Sequence, residues 1–278
     1  SFDEYNRIIY DGDWLEGEWS GEGIHYLEQQ YYKGYFKNGL YDGIGTYFYG
    51  DRTYTGEWIE GNRHGNGKEE FPDGTIYEGI FENDSIVRGK HISGIDGSIY
   101  VGNFFYNEYH GDGIFTFQGG DRYVGGYKFG EYHGQGKYTY ANPDGTTTVY
   151  ESGFKHGAMH GKYKITFPDG ETHTGSHKTG LRDGRWEFIF ASGQRRIQNY
   201  KDGIFHGTNT TIFVNGDTQI IDYSDGYKVS SSYKFSNGAE RICSYKDGLK
   251  DGSCIYTDKD FIEVCKYKMG KSEGCTVE

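Results

Sequence analysis

From Tyr10 onward, aromatic residues and glycines alternate with polar residues, and the alternating block recurs along the chain. Aligned on the residue that follows an aromatic by three, the blocks read Gly17, Gly39, Gly61, then Asp84 and Asn107 as substitutes. They continue with Gly130, Gly157, Gly180, Gly203, Gly226, Gly248 and Gly270. The steps are 22 or 23 residues, apart from a step of 27 into the seventh block. A period of that length predicts a tandem array of small supersecondary units rather than one central core. Twelve units fill residues 10–278, the last one cut short.

Numbered from its first Tyr, each unit carries a ring at position 1 (Tyr10, Tyr32, Tyr54, Tyr77, Tyr100, Tyr123, Tyr150) and Gly at position 3 in the first six. Position 5 is a ring throughout, from Trp14, Phe36, Trp58, Phe81 and Phe104 to Tyr267, with His177 as the exception among benzenoid and indole side chains. Odd positions share one face of a strand and even positions the other. Positions 8 to 12, for example Gly61–Gly65, are rich in glycine and predict a chain reversal. A second strand then carries Gly at position 14 (Gly23, Gly45, Gly67, Gly113, Gly136) and bulky residues at 16 and 18. The expected register sets position 5 against 14, position 3 against 16 and position 1 against 18, so that rings cover strand glycines. Phe71–Gly74, Asn142–Gly145 and Phe167–Gly170 predict the turns that close units. The expected architecture is all-β: an elongated single-layer antiparallel sheet of about 24 strands, on the order of 110 Å long.

Composition supports order without an aliphatic core. There are 46 Gly, 28 Tyr, 18 Phe and 4 Trp but only 3 Pro, and packed rings, not disordered chain, fit that mixture. No stretch approaches the roughly 20 apolar residues of a membrane-spanning helix, and Ser1 is not followed by signal-peptide order. A soluble protein is expected. The net charge of -12 is uneven: residues 1–139 hold 23 acidic and 11 basic side chains, residues 140–278 hold 18 of each. That field disfavours nucleic acid and anionic lipid as electrostatic partners. Cys243, Cys254, Cys265 and Cys275 fall in the tail without a CxxC pair, which predicts free, space-filling thiols in a reducing, cytoplasmic compartment.

Segments such as Tyr54–Gly67 (YTGEWIEGNRHGNG) and Tyr123–Gly136 (YVGGYKFGEYHGQG) resemble the MORN (membrane occupation and recognition nexus) repeat family, and the likeness covers nearly the whole chain. The resemblance implies hairpin units in one elongated sheet, with a groove lined by the position 1 and position 5 rings. It also implies scaffolding, dimerisation or phospholipid binding, sometimes beside the catalytic domain of an enzyme. On this reading residues 1–9 are an N-terminal extension, 10–151 are regular repeats one to six and 152–278 are degenerate repeats seven to twelve, continuous with the first block. Unit four departs from the pattern with Asp84 and Arg88 where turn glycines belong. Position 1 decays from unit eight onward to His173, Arg196, Gln219, Arg241 and Glu263.

Catalytic signatures are absent: no nucleophile elbow, no HExxH, no paired carboxylates. The glycine pairs lack the helix that a phosphate loop needs. His64, His110, His133, His160 and His206 share position 11, two strands apart, which is too far for neighbours to share one zinc ion. No enzyme activity, metal or other cofactor is expected. A row of rings on a single-layer sheet is an apolar patch of the kind that meets a partner. The expected contact residues are Trp14, Tyr32, Phe36, Tyr54, Trp58, Tyr77, Tyr100, Phe104 and Tyr123. The expected partner is another protein or a second copy of the chain, its basic residues met by the acidic front half. A lipid-headgroup module, disfavoured by charge, and an accessory domain of an enzyme are the alternatives.

Overall fold

The computed structural model describes Ser1 and residues 8–278, so most of the expected extension over residues 1–9 lies outside the described residues. Among the described residues there is no helix. Twenty-six strands, β1 (Tyr10–Leu15) to β26 (Lys271–Val277), follow one another as antiparallel hairpins in one open sheet. The excess over 24 has a local cause. In two units the second strand is interrupted, at Asp183 between Leu181–Arg182 and Gly184–Ile189, and at His206 between Ile204–Phe205 and Gly207–Ile212. The chain forms two compact units, residues 1–134 and 135–278.

The hairpin register differs from the expected one. In the third repeat, strand β5 (Thr53–Ile59) meets β6 (Asn62–Glu70) with Ile59 opposite Asn62 and Trp58 opposite Arg63. The reversal is therefore a two-residue turn at Glu60 and Gly61, whose φ values of 49° and 87° are those of a type I′ turn. Beyond Glu57 the pairing slips by two residues, so that Gly56 faces Gly67 and Tyr54 faces Glu69. The slip is a β-bulge at Gly65, φ 58°, a conformation that an L side chain adopts only at a cost. The Glu57 carboxylate closes the bulge by accepting from the backbone N–H and the side-chain amide of Asn66, both at 2.8 Å. Position 12 thus belongs to a bulge in the second strand, not to the turn, and position 3 faces 14. In unit four, where Arg88 replaces the bulge glycine, the slip shrinks to one residue between Ile80 and Phe81.

Because position 3 faces 14 within hairpins (13 in unit four, where the slip is one residue shorter) and between them, the glycines of residues 1–134 form one row across the strands. It runs Gly12, Gly23, Gly34, Gly45, Gly56, Gly67, Gly79, Gly89, Gly102, Gly113 and Gly125, each directly opposite the next. Position 1 tyrosines lie over it. A Cβ on Gly23 would meet Tyr10 at 2.5 to 2.7 Å, and one on Gly102 or Gly113 would run into Tyr100. The ring therefore rests where two side chains would stand, which is the aromatic cover of strand glycines.

From Trp186 onward the same row holds side chains. Its last members are Ser231, Cys243, Cys254, Cys265 and Cys275 on consecutive strands. Cys243 is bonded to Cys254 and Cys265 to Cys275, with Cα separations of 4.0 Å in both pairs. Cys243 and Cys265, at position 3 of adjacent units, lie two strands apart, but each has a facing cysteine on the strand between or beside them. Positions 3 and 14 are facing partners, so the expectation of free thiols is corrected.

Candidate functional site

The ring face of residues 1–134 is built from four positions, not two. Tyr32 stacks on Tyr41 with centroids 3.8 Å apart, Tyr100 on Tyr109 at 3.8 Å, Tyr123 on Tyr132 at 4.1 Å and Tyr10 on Trp19 at 4.6 Å. The stacking partner is position 10, which the sequence reading did not use although Trp19, Tyr41, Tyr109 and Tyr132 recur at that offset. Position 5 rings meet the position 1 ring edge-on, Phe36 at 5.1 Å and Trp58 at 5.3 Å from Tyr32. Position 16 supplies His25, and position 15 of the shorter-slipped unit four supplies His91 opposite Tyr77; they are 2.8 and 2.6 Å from the hydroxyls of Tyr41 and Tyr109.

Tyrosine is needed at position 1 for a polar reason. Its hydroxyl donates to the carbonyl three residues on, Tyr10 to Asp13, Tyr32 to Tyr35, Tyr54 to Glu57, Tyr100 to Asn103 and Tyr123 to Gly126, at 2.8 to 3.2 Å. Beside the bulge that carbonyl would otherwise be exposed to the covering ring, and phenylalanine could not satisfy it. Burial pushes the Tyr100 hydroxyl up to about 12 and raises Tyr32, Tyr54 and Tyr123 further. Burial lowers the basicity of His25 and His91. Unit three changes two positions together: Arg63 stands at position 10 and Glu69 at position 16, joined at 2.9 Å. The Arg63 guanidinium lies 5.4 Å from both the Tyr54 and Phe81 rings, taking the place of an aromatic.

Of the nine expected contact residues, Tyr32, Phe36, Tyr54, Trp58, Tyr100, Phe104 and Tyr123 are buried. Tyr77 is half-buried and Trp14 is 51% exposed. The structure brings them into one row as expected but packs them against one another, so the picture of an open oily face is corrected. Seven of them offer a partner almost no area.

Tyr35, Ile44 and Val101 are exposed on the reverse face. There the glycine row is bare backbone, flanked by two ridges of side chains. One depression, about 570 Å³, has Gly23, Gly34 and Gly45 as its floor and Ile24, Tyr35 and Ile44 among its walls. A second, about 590 Å³, lies over Gly89, Gly102, Gly113 and Gly125, walled by Val101, Ile114 and Val124. Ile44 is 59% exposed, Tyr35 49% and Val101 45%. Flanking charges are mixed, Glu22 with Lys33 in the first and Arg88 with Asp112 in the second. Among the described residues, the group of metal-type ligands that gathers within 4.8 Å is Glu263, Cys265 and Cys275, and both of those cysteines are disulfide-bonded.

A two-residue turn in each unit, with a glycine bulge and a tyrosine-capped glycine row in most of the first six, defines a class of β-hairpin repeat protein. The MORN repeat profile matches residues 10–27, 32–53, 54–76, 100–122, 123–142, 150–172 and 244–261, more than half of the chain. The chain belongs to the MORN repeat family. It is similar to alsin from human and from mouse, 27% identical over 118 residues in each case, covering 38% of this chain and 7% of alsin. The chain thus matches a small fraction of the length of those relatives. Among solved structures it is similar to the TCP10 domain of Danio rerio CPAP, with 14% identity, 84% of this chain and 94% of that chain covered, and a TM-score of 0.29.

Proposed function

We propose that the chain is a non-catalytic scaffold that holds a segment of another protein against the reverse face of residues 1–134. The observation that carries this reading is the pair of glycine-floored depressions with exposed Tyr35, Ile44 and Val101 on their rims. Backbone N–H and C=O groups in that floor are committed to the ladder, so a partner would be recognised by apolar side chains inserted over the glycines. The excess of acidic groups in residues 1–139 favours a partner with basic residues flanking its apolar ones. The ring face, expected at first to be the contact surface, acts as the internal packing that keeps the reverse face flat and rigid. Trp14, exposed at the end of the row, is the predicted contact residue with the most area open to a partner. The experiment is cross-linked capture from native extract with the natural chain, with Ile44→Glu/Val101→Glu and with Leu181→Glu, an exposed apolar control in the other unit. Loss of the captured protein with the first variant alone supports the reading. Unchanged capture by Ile44→Glu/Val101→Glu contradicts it.

A further inference from the structure

The last repeats carry a concavity that the first repeats cannot have. In most units of residues 1–134 the position 1 tyrosine fills the space above the row and a position 10 ring covers it, with Arg63 and Ile86 at position 10 in units three and four. In repeats ten and eleven position 1 is Gln219 and Arg241, and position 10 is Lys228 and Lys250. Two kinds of substitution coincide: the filling ring is gone, and the covering ring has become an ammonium. The result is a pocket of about 320 Å³ above Ser231 and Cys243, which face each other in neighbouring strands.

Its polar lining consists mainly of donors. Lys228, Arg241 and Lys250 line it from three strands, β22 (Tyr227–Lys234), β23 (Glu240–Lys246) and β24 (Leu249–Thr257). Ser231, Tyr233 and Tyr245 add hydroxyls. Among the described residues no carboxylate lies within ion-pair distance of any of the three cations; they rest on ring faces instead. Lys228 Nζ is 4.1 Å from the centre of Tyr245, Lys250 Nζ 4.7 Å from Tyr267, and the Arg241 guanidinium 5.5 Å from Tyr256. The nearby carboxylates are engaged elsewhere. Asp217 accepts from the Tyr233 hydroxyl at 2.8 Å and from the Ser236 N–H at 2.8 Å, and Glu240 accepts from Ser232. Glu263, on the same face, is separated from Arg241 by the strand that carries Tyr256. Tyr245 responds to this environment. Burial raises its pKa, but the hydrogen bonds from Ser231 and Lys228 and the charges of Lys228 and Lys250 outweigh it, and the net shift is downward.

We propose that this pocket binds a phosphate group, as the free dianion or as a monoester on a small molecule or lipid headgroup. Three cations with no carboxylate partner, lining together with the Ser231 and Tyr245 hydroxyls a cavity larger than one phosphate, supply the groups that charge-assisted hydrogen bonds to such a group require. Residues 140–278 are neutral overall, so the acidic field of the first half does not apply locally. The site is independent of the docking surface, which lies in the other unit.

The test titrates the full chain with inorganic phosphate at constant ionic strength, read by phosphorus NMR and calorimetry, followed by glycerol phosphate and by sedimentation with vesicles containing phosphatidic acid or neutral lipid alone. Saturable binding that weakens by about tenfold or more in Lys228→Gln and in Arg241→Gln, the loss expected for one charge-assisted hydrogen bond, supports the site. Lys228→Tyr, which restores the ring of earlier repeats, keeps the sheet and loses the anion. Binding to free phosphate or glycerol phosphate identifies a soluble source; binding only to phosphatidic acid vesicles, with the same variant losses, identifies a headgroup. Absence of binding in every arm, or binding by all three variants as tight as that of the natural chain, overturns the proposal.

Discussion

Gly45→Ala isolates the contact on which the fold depends most. A methyl at Gly45 would penetrate the Oη, Cζ and Cε2 atoms of Tyr32 and no other group as closely. Tyr32 has no room to yield: it is 0% exposed, stacked 3.8 Å from Tyr41 and held edge-on by Phe36 and Trp58. Overpacking of this kind costs about 1–3 kcal/mol. Displacing the ring also breaks the hydrogen bond from its hydroxyl to the Tyr35 carbonyl, about 1 kcal/mol. Alanine restricts the unfolded chain and returns about 0.4–1 kcal/mol. The expected net loss is about 1.5–3 kcal/mol. In a Tyr32→Ala background the same methyl enters the space the ring has left, so Gly45→Ala becomes neutral or slightly stabilising, and the coupling between the sites is about 2–3 kcal/mol. Because repeats can open locally, hydrogen exchange over residues 30–60 is measured alongside urea unfolding. Additive effects of the two substitutions would refute the tyrosine-over-glycine account.

Three further outcomes follow from the packing. His25 and His91 have pKa values lowered by burial, so below about pH 6.5 the unfolded chain binds protons that the folded chain refuses. Stability therefore falls as pH drops from about 6.5 toward the lowered folded values, and His91→Gln shallows that slope in urea midpoints taken from pH 7.5 to 5. Arg63→Met leaves the buried Glu69 carboxylate without its close partner, with Arg52 3.3 Å away on the exposed side. A loss of about 3 kcal/mol is expected, most of it recovered by Glu69→Gln, in thermal unfolding of both variants. Each C-terminal disulfide closes a loop of 10 or 11 residues, for which chain entropy gives about 3 kcal/mol. Reductant should accelerate exchange in residues 240–278 and leave residues 30–60 unchanged.

The repeat, the strand parity and the family were legible because they rest on spacing alone: a ring every 22 or 23 residues and a two-residue alternation survive substitution at Asp84 or Asn107. Register was not, because it turns on one backbone conformation. GNRHG at Gly61–Gly65 reads as a single flexible stretch, yet Gly61 closes a turn and Gly65 makes a bulge, and the two-residue slip between them decides which glycine meets which. From that slip follow the facing cysteines, which the sequence shows only as intervals of 11, 11 and 10. The contact surface was misjudged for a related reason. Tyr32 and Trp58 have the composition of an exposed patch, but Tyr41 and Tyr109 at position 10 close over the row and turn it into an interior. The pocket at Lys228, Arg241 and Lys250 had a visible signal, the decay of position 1, but its chemistry depends on neighbouring carboxylates such as Asp217 and Glu240 being engaged by other groups, which no local motif records.

Hydroxyl-radical footprinting of the intact chain, read residue by residue by mass spectrometry, measures directly which face is interior. The account predicts that Tyr32, Tyr54, Tyr100 and Tyr123 are protected while Tyr35, Ile44 and Val101 are oxidised at rates near those of the unfolded chain. Rapid oxidation of the four position 1 tyrosines, with protection of Tyr35 and Ile44, would contradict it.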